Sequence, residues 1–105
     1  MKIPFFNYPK LYAQRNEEYR VALEDAMSRG AYIMQQDLED FENSLSEYLG
    51  IKHVIGVADG TMALLTSLMA AEVGKGDEVI VPSHTFIASA AAIHHVGAIP
   101  ILADC

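Results

Sequence analysis

Apolar residues recur along this chain with two different periods, and the change falls at Gly50. Before it, Tyr19, Leu23, Ala26 and Met27 return at helical spacing between Asn16 and Ser28, and Gly30 supplies a stop. Leu38, Phe41, Leu45, Tyr48 and Leu49 share one face of a second expected helix, Asp37 to Tyr48. Asp37 is its expected N-cap and Gly50 its C-terminal glycine. Residues 1–14 hold Pro4, Pro9 and the tandem Phe5-Phe6 without any period, and read as an extended arm.

After Gly50 the apolar residues gather into short runs. His53-Val54-Ile55-Gly56-Val57-Ala58, Glu78-Val79-Ile80-Val81-Pro82 and Ile99-Pro100-Ile101-Leu102-Ala103 each predict a strand buried on both faces. Thr61 to Glu72 and Thr85 to Val96 predict helices between them, with a Gly74-Lys75-Gly76-Asp77 turn after the first and Gly97 closing the second. The expected fold class is therefore α/β. An arm and two helices occupy residues 1–50, and a βαβαβ unit with a parallel sheet and right-handed crossovers occupies 51–105. Parallel sheets are covered on both faces and three strands stand poorly alone, so a chain ending on an apolar strand reads as truncated.

Composition narrows the function more than the fold. Over 105 residues, 51% hydrophobic content supports one domain with a core. Seven basic residues against fourteen acidic give a net charge of -7, with most of the acid between Glu17 and Glu47. Such a chain has no basic stripe to follow a phosphate backbone, which argues against nucleic acid, and the acidic helix faces read as solvated surface. The longest apolar run, Met62 to Ala71, includes Thr66 and Ser67 and falls short of the ~18 residues of a membrane span. No signal-peptide pattern opens the chain, and Cys105 stands alone, so the expectation is a cytoplasmic protein without internal disulfides.

Two strand-to-helix turns carry the candidate chemistry, because ligands of open α/β sheets sit beyond the carboxyl ends of the strands. In Val57-Ala58-Asp59-Gly60-Thr61-Met62, Gly60 lets the backbone approach a ligand. The amides that follow point out of a helix N-terminus, as an anion site requires, and Thr61 adds a hydroxyl. In Pro82-Ser83-His84-Thr85-Phe86, the Phe86 ring stands near the same mouth, where it can stack on a flat cofactor. Taken singly, an Asp-Gly-Thr junction is more often a capped turn, and a lone Phe is more often core. Gly56 and Gly60 make no dinucleotide fingerprint and no P-loop. His94 and His95 are about 100° apart on a helix, and neither pairs with His53 or His84 at zinc spacing, so no metal site is expected. His84 remains a candidate contact at the mouth of the site.

In order along the chain stand Gly30-Ala31-Tyr32-Ile33, an acidic Asp37-to-Glu42 helix, Tyr48-Leu49-Gly50 and Gly56-Val57-Ala58-Asp59-Gly60-Thr61-Met62-Ala63-Leu64. Gly76-Asp77-Glu78-Val79-Ile80-Val81-Pro82-Ser83, Thr85-Phe86-Ile87-Ala88 and Val96-Gly97-Ala98-Ile99-Pro100 follow. This succession resembles the DegT/DnrJ/EryC1/StrS family of sugar aminotransferases, within the aspartate-aminotransferase-like fold, most specifically over residues 30–104. The resemblance implies that residues 51–105 begin the three-layer large domain of a pyridoxal phosphate enzyme. It further implies a homodimer that moves an amino group from glutamate or glutamine onto a nucleotide-linked keto-sugar.

By position, Gly60, Thr61 and Met62 match the turn that binds the cofactor phosphate, and Phe86 matches the aromatic stacked on its ring. Tyr32 and His84 are candidate substrate contacts. Asp59 stands where the family often has serine or asparagine, and Met34-Gln35-Gln36 replaces a common glycine-proline. None of Lys2, Lys10, Lys52 or Lys75 matches the lysine that carries the cofactor covalently. Asp104 ends the third expected strand but is not the partner of the pyridine nitrogen. The 105 residues alone are thus expected to be inactive and to hold no catalytic residue. A dehydratase on the same scaffold and a non-catalytic fragment are the alternatives.

Overall fold

The first helix begins far earlier than its apolar period. The computed structural model describes residues 3–104. Met1, Lys2 and Cys105 lie outside the described residues, and with them the first residues of the expected arm and the lone cysteine. Helix α1 spans Tyr8–Ser28. Its N-cap is Asn7, whose side chain accepts from the Lys10 N–H at 3.2 Å, and Pro9 stands in the first turn, where the missing N–H costs nothing. The arm expected over residues 1–14 is therefore helical from Tyr8 onward. Arg15 (φ -137°, ψ 23°) breaks the helical backbone just before Asn16, where the regular apolar spacing begins.

Helix α2 spans Gln36–Leu49. Gln35, not Asp37, holds the N-cap position, and it makes no side-chain cap. Asp37 lies inside the first turn, where its charge suits the helix dipole, and it accepts from Arg29 Nη2 at 2.9 Å. Gly50 ends α2 in the left-handed region (φ 65°). The Ile51 N–H reaches the Ser46 carbonyl at 3.1 Å, closing the C-terminus as expected.

The chain divides into two compact units, one running to Ile55 and the other starting at Gly56. In the second, helix α3 spans Gly60–Ala70, strand β1 Glu78–Pro82, helix α4 Ala88–His95 and strand β2 Ile99–Ala103. Strands β1 and β2 pair in parallel, Glu78 opposite Ile99 through Pro82 opposite Ala103, joined through α4. Val81, Ile93 and Ala98 form the buried core between helix and sheet, with Leu68, Val73, Val79 and Val96 against it. Gly97 (φ 86°) turns α4 into β2 with the Ala98 N–H on the Ile93 carbonyl, a close that a side chain with Cβ adopts at a cost.

Two expectations need correcting here. The βαβαβ unit loses its first strand: His53 to Ala58 is irregular and stays mostly exposed. An apolar run predicts a strand by composition, but a strand forms only where it joins a regular ladder of N–H and C=O groups. Among the described residues the sheet has two strands. The last helix starts at Ala88, not Thr85, because Ser83 to Phe86 form a turn whose bonds run from the Ser89 N–H back to the Phe86 carbonyl at 3.0 Å.

Candidate phosphate and cofactor cleft

The N-terminus of α3 is organised by one side chain. Asp59 has extended backbone (φ -164°, ψ 178°), and its Oδ1 accepts from the Met62 N–H at 2.9 Å, while its carbonyl accepts from the Ala63 N–H at 3.0 Å. This is the N-cap arrangement that an Asp before a helix favours, because it satisfies an otherwise orphaned donor. The Gly60 and Thr61 amides and the Thr61 hydroxyl have no protein partner among the described residues. They are donors at the positive end of a helix.

Gly60 and Thr61 border an open cleft of about 430 Å³. Asp59, Gly60, Thr61 and Leu64 line it from α3, and Phe86, Ala88 and Ser89 line it from the turn and helix after β1. The backbone of Gly60 is unstrained, and a Cβ built there would meet nothing within 4 Å. The fold itself therefore does not demand glycine. What glycine leaves is open space at the Cβ position beside the cleft, which a larger side chain would fill. Phe86 is 75% exposed, so its ring is an available face rather than core.

The structure thus brings Gly60, Thr61 and Phe86 to one cleft, and it adds Asp59, Ala88 and Ser89. Ser89 stands in the first turn of α4, four residues after Thr85, and their hydroxyls approach to 3.3 Å. Met62 is placed differently: its side chain does not line the cleft, and its N–H is already held by Asp59. His84 is exposed in the turn before Phe86 and is not part of the lining. Tyr32 belongs to the first unit, exposed between α1 and α2. No lysine or arginine among the described residues lines the cleft.

One further pair stands at the same end of the sheet. Ser83, just past β1, donates from Oγ to Asp104 Oδ1, just past β2, at 2.9 Å. The Ser83 N–H also donates to the Ala103 carbonyl at 2.8 Å. Nothing local in the sequence announces this pair, because it depends on the register of two strands.

Known proteins resemble this chain along nearly its whole length. The sequence model of the DegT/DnrJ/EryC1/StrS aminotransferase family matches residues 13–105. A dTDP-3-amino-3,6-dideoxy-alpha-D-galactopyranose transaminase from Aneurinibacillus thermoaerophilus is 40% identical over 102 residues, which cover 97% of this chain and 28% of that protein. The crystal structure of a family aminotransferase from Brucella abortus superposes with a TM-score of 0.89 at 37% identity, covering 98% of this chain and 28% of the other. NtdA from Bacillus subtilis, solved with bound cofactor PMP, superposes with a TM-score of 0.88 at 33% identity, covering 96% of this chain and 23% of the other. The chain thus spans 28% and 26% of the length of two of the curated relatives it matches. With a family match over most of its length and a fold shared at this identity, the chain belongs to the DegT/DnrJ/EryC1/StrS aminotransferase family.

Proposed function

We propose that these residues form the N-terminal part of a pyridoxal-phosphate-dependent aminotransferase acting on a nucleotide-linked keto-sugar, with glutamate or glutamine as amino donor. The observation that carries this reading is the cleft that sets the free Gly60 and Thr61 amides and the Thr61 hydroxyl opposite the exposed ring of Phe86. Two backbone N–H groups and a hydroxyl at a helix N-terminus suit a phosphate monoester, and an aromatic face suits a flat heteroaromatic ring. When bound, pyridoxal phosphate supplies the carbonyl chemistry that carries an amino group from donor to acceptor. Of this chain's residues, Gly60 and Thr61 hold the phosphate, Phe86 orients the ring, and Asp59 fixes the helix end that presents the donors.

The relatives support the substrate class: the Aneurinibacillus protein is named for a dTDP-linked amino sugar, and a relative in Acidithiobacillus ferrooxidans for a UDP-linked one. Tyr32 and His84 remain proposed substrate contacts, and a homodimer the proposed assembly. The three-layer large domain, the lysine that holds the cofactor and the residue that meets its pyridine nitrogen are proposed to come from chain beyond these 105 residues. Among the described residues, no helix is long and apolar enough to cross a membrane.

The test is equilibrium binding of pyridoxal phosphate to the polypeptide expressed from the complete reading frame, followed by cofactor absorbance. Binding that weakens on Phe86→Ala, with the thermal midpoint unchanged, supports the assignment. Binding that is absent, or indifferent to Phe86→Ala, removes it. An assay of amino transfer to nucleotide keto-sugars then separates the aminotransferase from a dehydratase.

A further inference from the structure

Asp104 and Ser83 take no part in the cleft lining, yet they meet at the edge of the turn that carries Phe86. Ser83 is tied to β2 twice, through its N–H to the Ala103 carbonyl at 2.8 Å and through its Oγ to Asp104 Oδ1 at 2.9 Å. The far end of the turn is held separately. The Ser89 N–H donates to the Phe86 carbonyl at 3.0 Å, and the Thr85 and Ser89 hydroxyls lie 3.3 Å apart. In sequence, only His84 separates the two ties. Because Phe86 is 75% exposed, packing does not hold its ring, and its direction follows from the turn.

We propose that Asp104 is a positioning residue for the cofactor ring: by holding Ser83 it sets the turn from Ser83 to Phe86, and so the place of the Phe86 ring across the cleft from Gly60 and Thr61. The proposal rests on the reading of that cleft as a pyridoxal phosphate site. A hydrogen bond to a carboxylate is shorter and stronger than one between neutral groups, and it is directional. Removing it leaves the β1–β2 ladder and the Ser83–Ala103 bond in place, so the sheet persists while the turn gains freedom. The phosphate end of the site stands on α3 and owes nothing to this pair. Asp104 therefore acts on one half of the ligand only.

That asymmetry supplies the test. Asp104→Ala, Asp104→Asn and Ser83→Ala are made in the polypeptide from the complete reading frame. Binding of pyridoxal phosphate is measured by absorbance and binding of inorganic phosphate by calorimetry, with thermal midpoints of the ligand-free proteins alongside. Asp104→Ala and Ser83→Ala should each weaken pyridoxal phosphate roughly three- to tenfold, the size of one misplaced aromatic contact. Asp104→Asn, which keeps the acceptor oxygen, should stay within roughly twofold of the parent. Affinity for inorganic phosphate should not change in any of them. Unaltered pyridoxal phosphate affinity in Asp104→Ala overturns the proposal. So do equal losses for both ligands, or an Asp104→Asn variant as weak as Asp104→Ala. A parent protein that binds neither ligand is a different result: it sinks the reading of the cleft, and the proposal with it.

Discussion

The Asp59 carboxylate holds the Met62 N–H at 2.9 Å, which leaves the Gly60 and Thr61 amides as the unpaired donors of the first turn of α3 among the described residues. Because Asp59 also lines the cleft, a phosphate bound there as proposed would meet a second negative charge at its rim. The helix gains a cap from this residue, and an anion loses affinity to it.

Asp59→Ser separates the two effects, since a serine hydroxyl caps almost as well and carries no charge. Phosphate affinity should rise several-fold at low salt, with the gain shrinking as salt screens the removed repulsion. Asp59→Ala should show the same relief but lose about 1 kcal/mol of helix stability with the cap. Titration calorimetry at two ionic strengths reads the first effect and thermal unfolding the second. A serine variant with unchanged affinity would mean that the phosphate sits away from this helix end.

Gly60→Val asks whether the open space above the turn is used. A Cβ at Gly60 meets nothing within 4 Å, and the backbone there does not need glycine. Valine is also a better helix former than glycine, so the thermal midpoint should hold or rise. Phosphate and pyridoxal phosphate affinity should nonetheless fall at least tenfold, because the new methyl groups fill the space over the amides. Retained binding would place the anion elsewhere.

How much of this was legible in the sequence depended on whether the signal was local. The runs Glu78 to Pro82 and Ile99 to Ala103 became paired strands over the expected residues, because β-branched side chains bounded by turn residues favour a strand. The burial expected on both faces is not found: Ile80 and Leu102 are exposed and no residue of β2 is buried. Gly60, Thr61 and Phe86 were readable as a group through the order of motifs, and they do share a cleft. Asp59 was readable as a cap from its place before a helix, and its Oδ1 accepts the Met62 N–H. The start of α1 was hidden by Pro4 and the Phe5-Phe6 pair, which obscured the Asn7 cap and the first-turn Pro9. The run His53 to Ala58 reads as a strand by its apolar composition, yet its side chains are mostly exposed, because composition alone sets neither burial nor membership of a sheet. The Ser83–Asp104 pair, 21 residues apart, had no local trace at all.

Arg29 joins the end of α1 to the start of α2, with Nη2 at 2.7 Å from Asp25 and 2.9 Å from Asp37. Its hydrogen bond and charge hold the Asp25 carboxyl below the ordinary value of 3.8, against a smaller opposing effect of burial. A carboxyl lowered in the folded state contributes stability that is present above its unfolded value and lost as pH falls through the folded one. The junction should therefore be unchanged from neutral pH down to about 4 and loosen below it. Arg29→Gln should remove this acid-sensitive part, as read from amide chemical shifts of residues 25–37 between pH 7 and 2. The pair is exposed, so the effect should be local and should weaken in salt. An identical acid profile in both proteins would show that the contact contributes nothing in solution.

The 105-residue chain by itself should not unfold as a cooperative unit. Its buried apolar side chains among the described residues are Val81, Ala88, Ala92, Ile93 and Ala98, three of them alanine. So small a core leaves most of the apolar side chains in contact with water, where they contribute little to folding. Meanwhile Ile80, Phe86, Ile87 and Leu102 are exposed on the sheet unit, and Phe5, Tyr8 and Tyr48 on the helical one. Parallel strands are ordinarily covered on both faces, so Ile80 at 76% exposure marks a surface built for cover. The isolated chain should bind a hydrophobic dye, self-associate with concentration and lose helical signal over a broad temperature range. A sharp two-state transition in a species that sediments as a monomer would show instead that these few contacts suffice, and that the exposed apolar faces need no further chain to cover them.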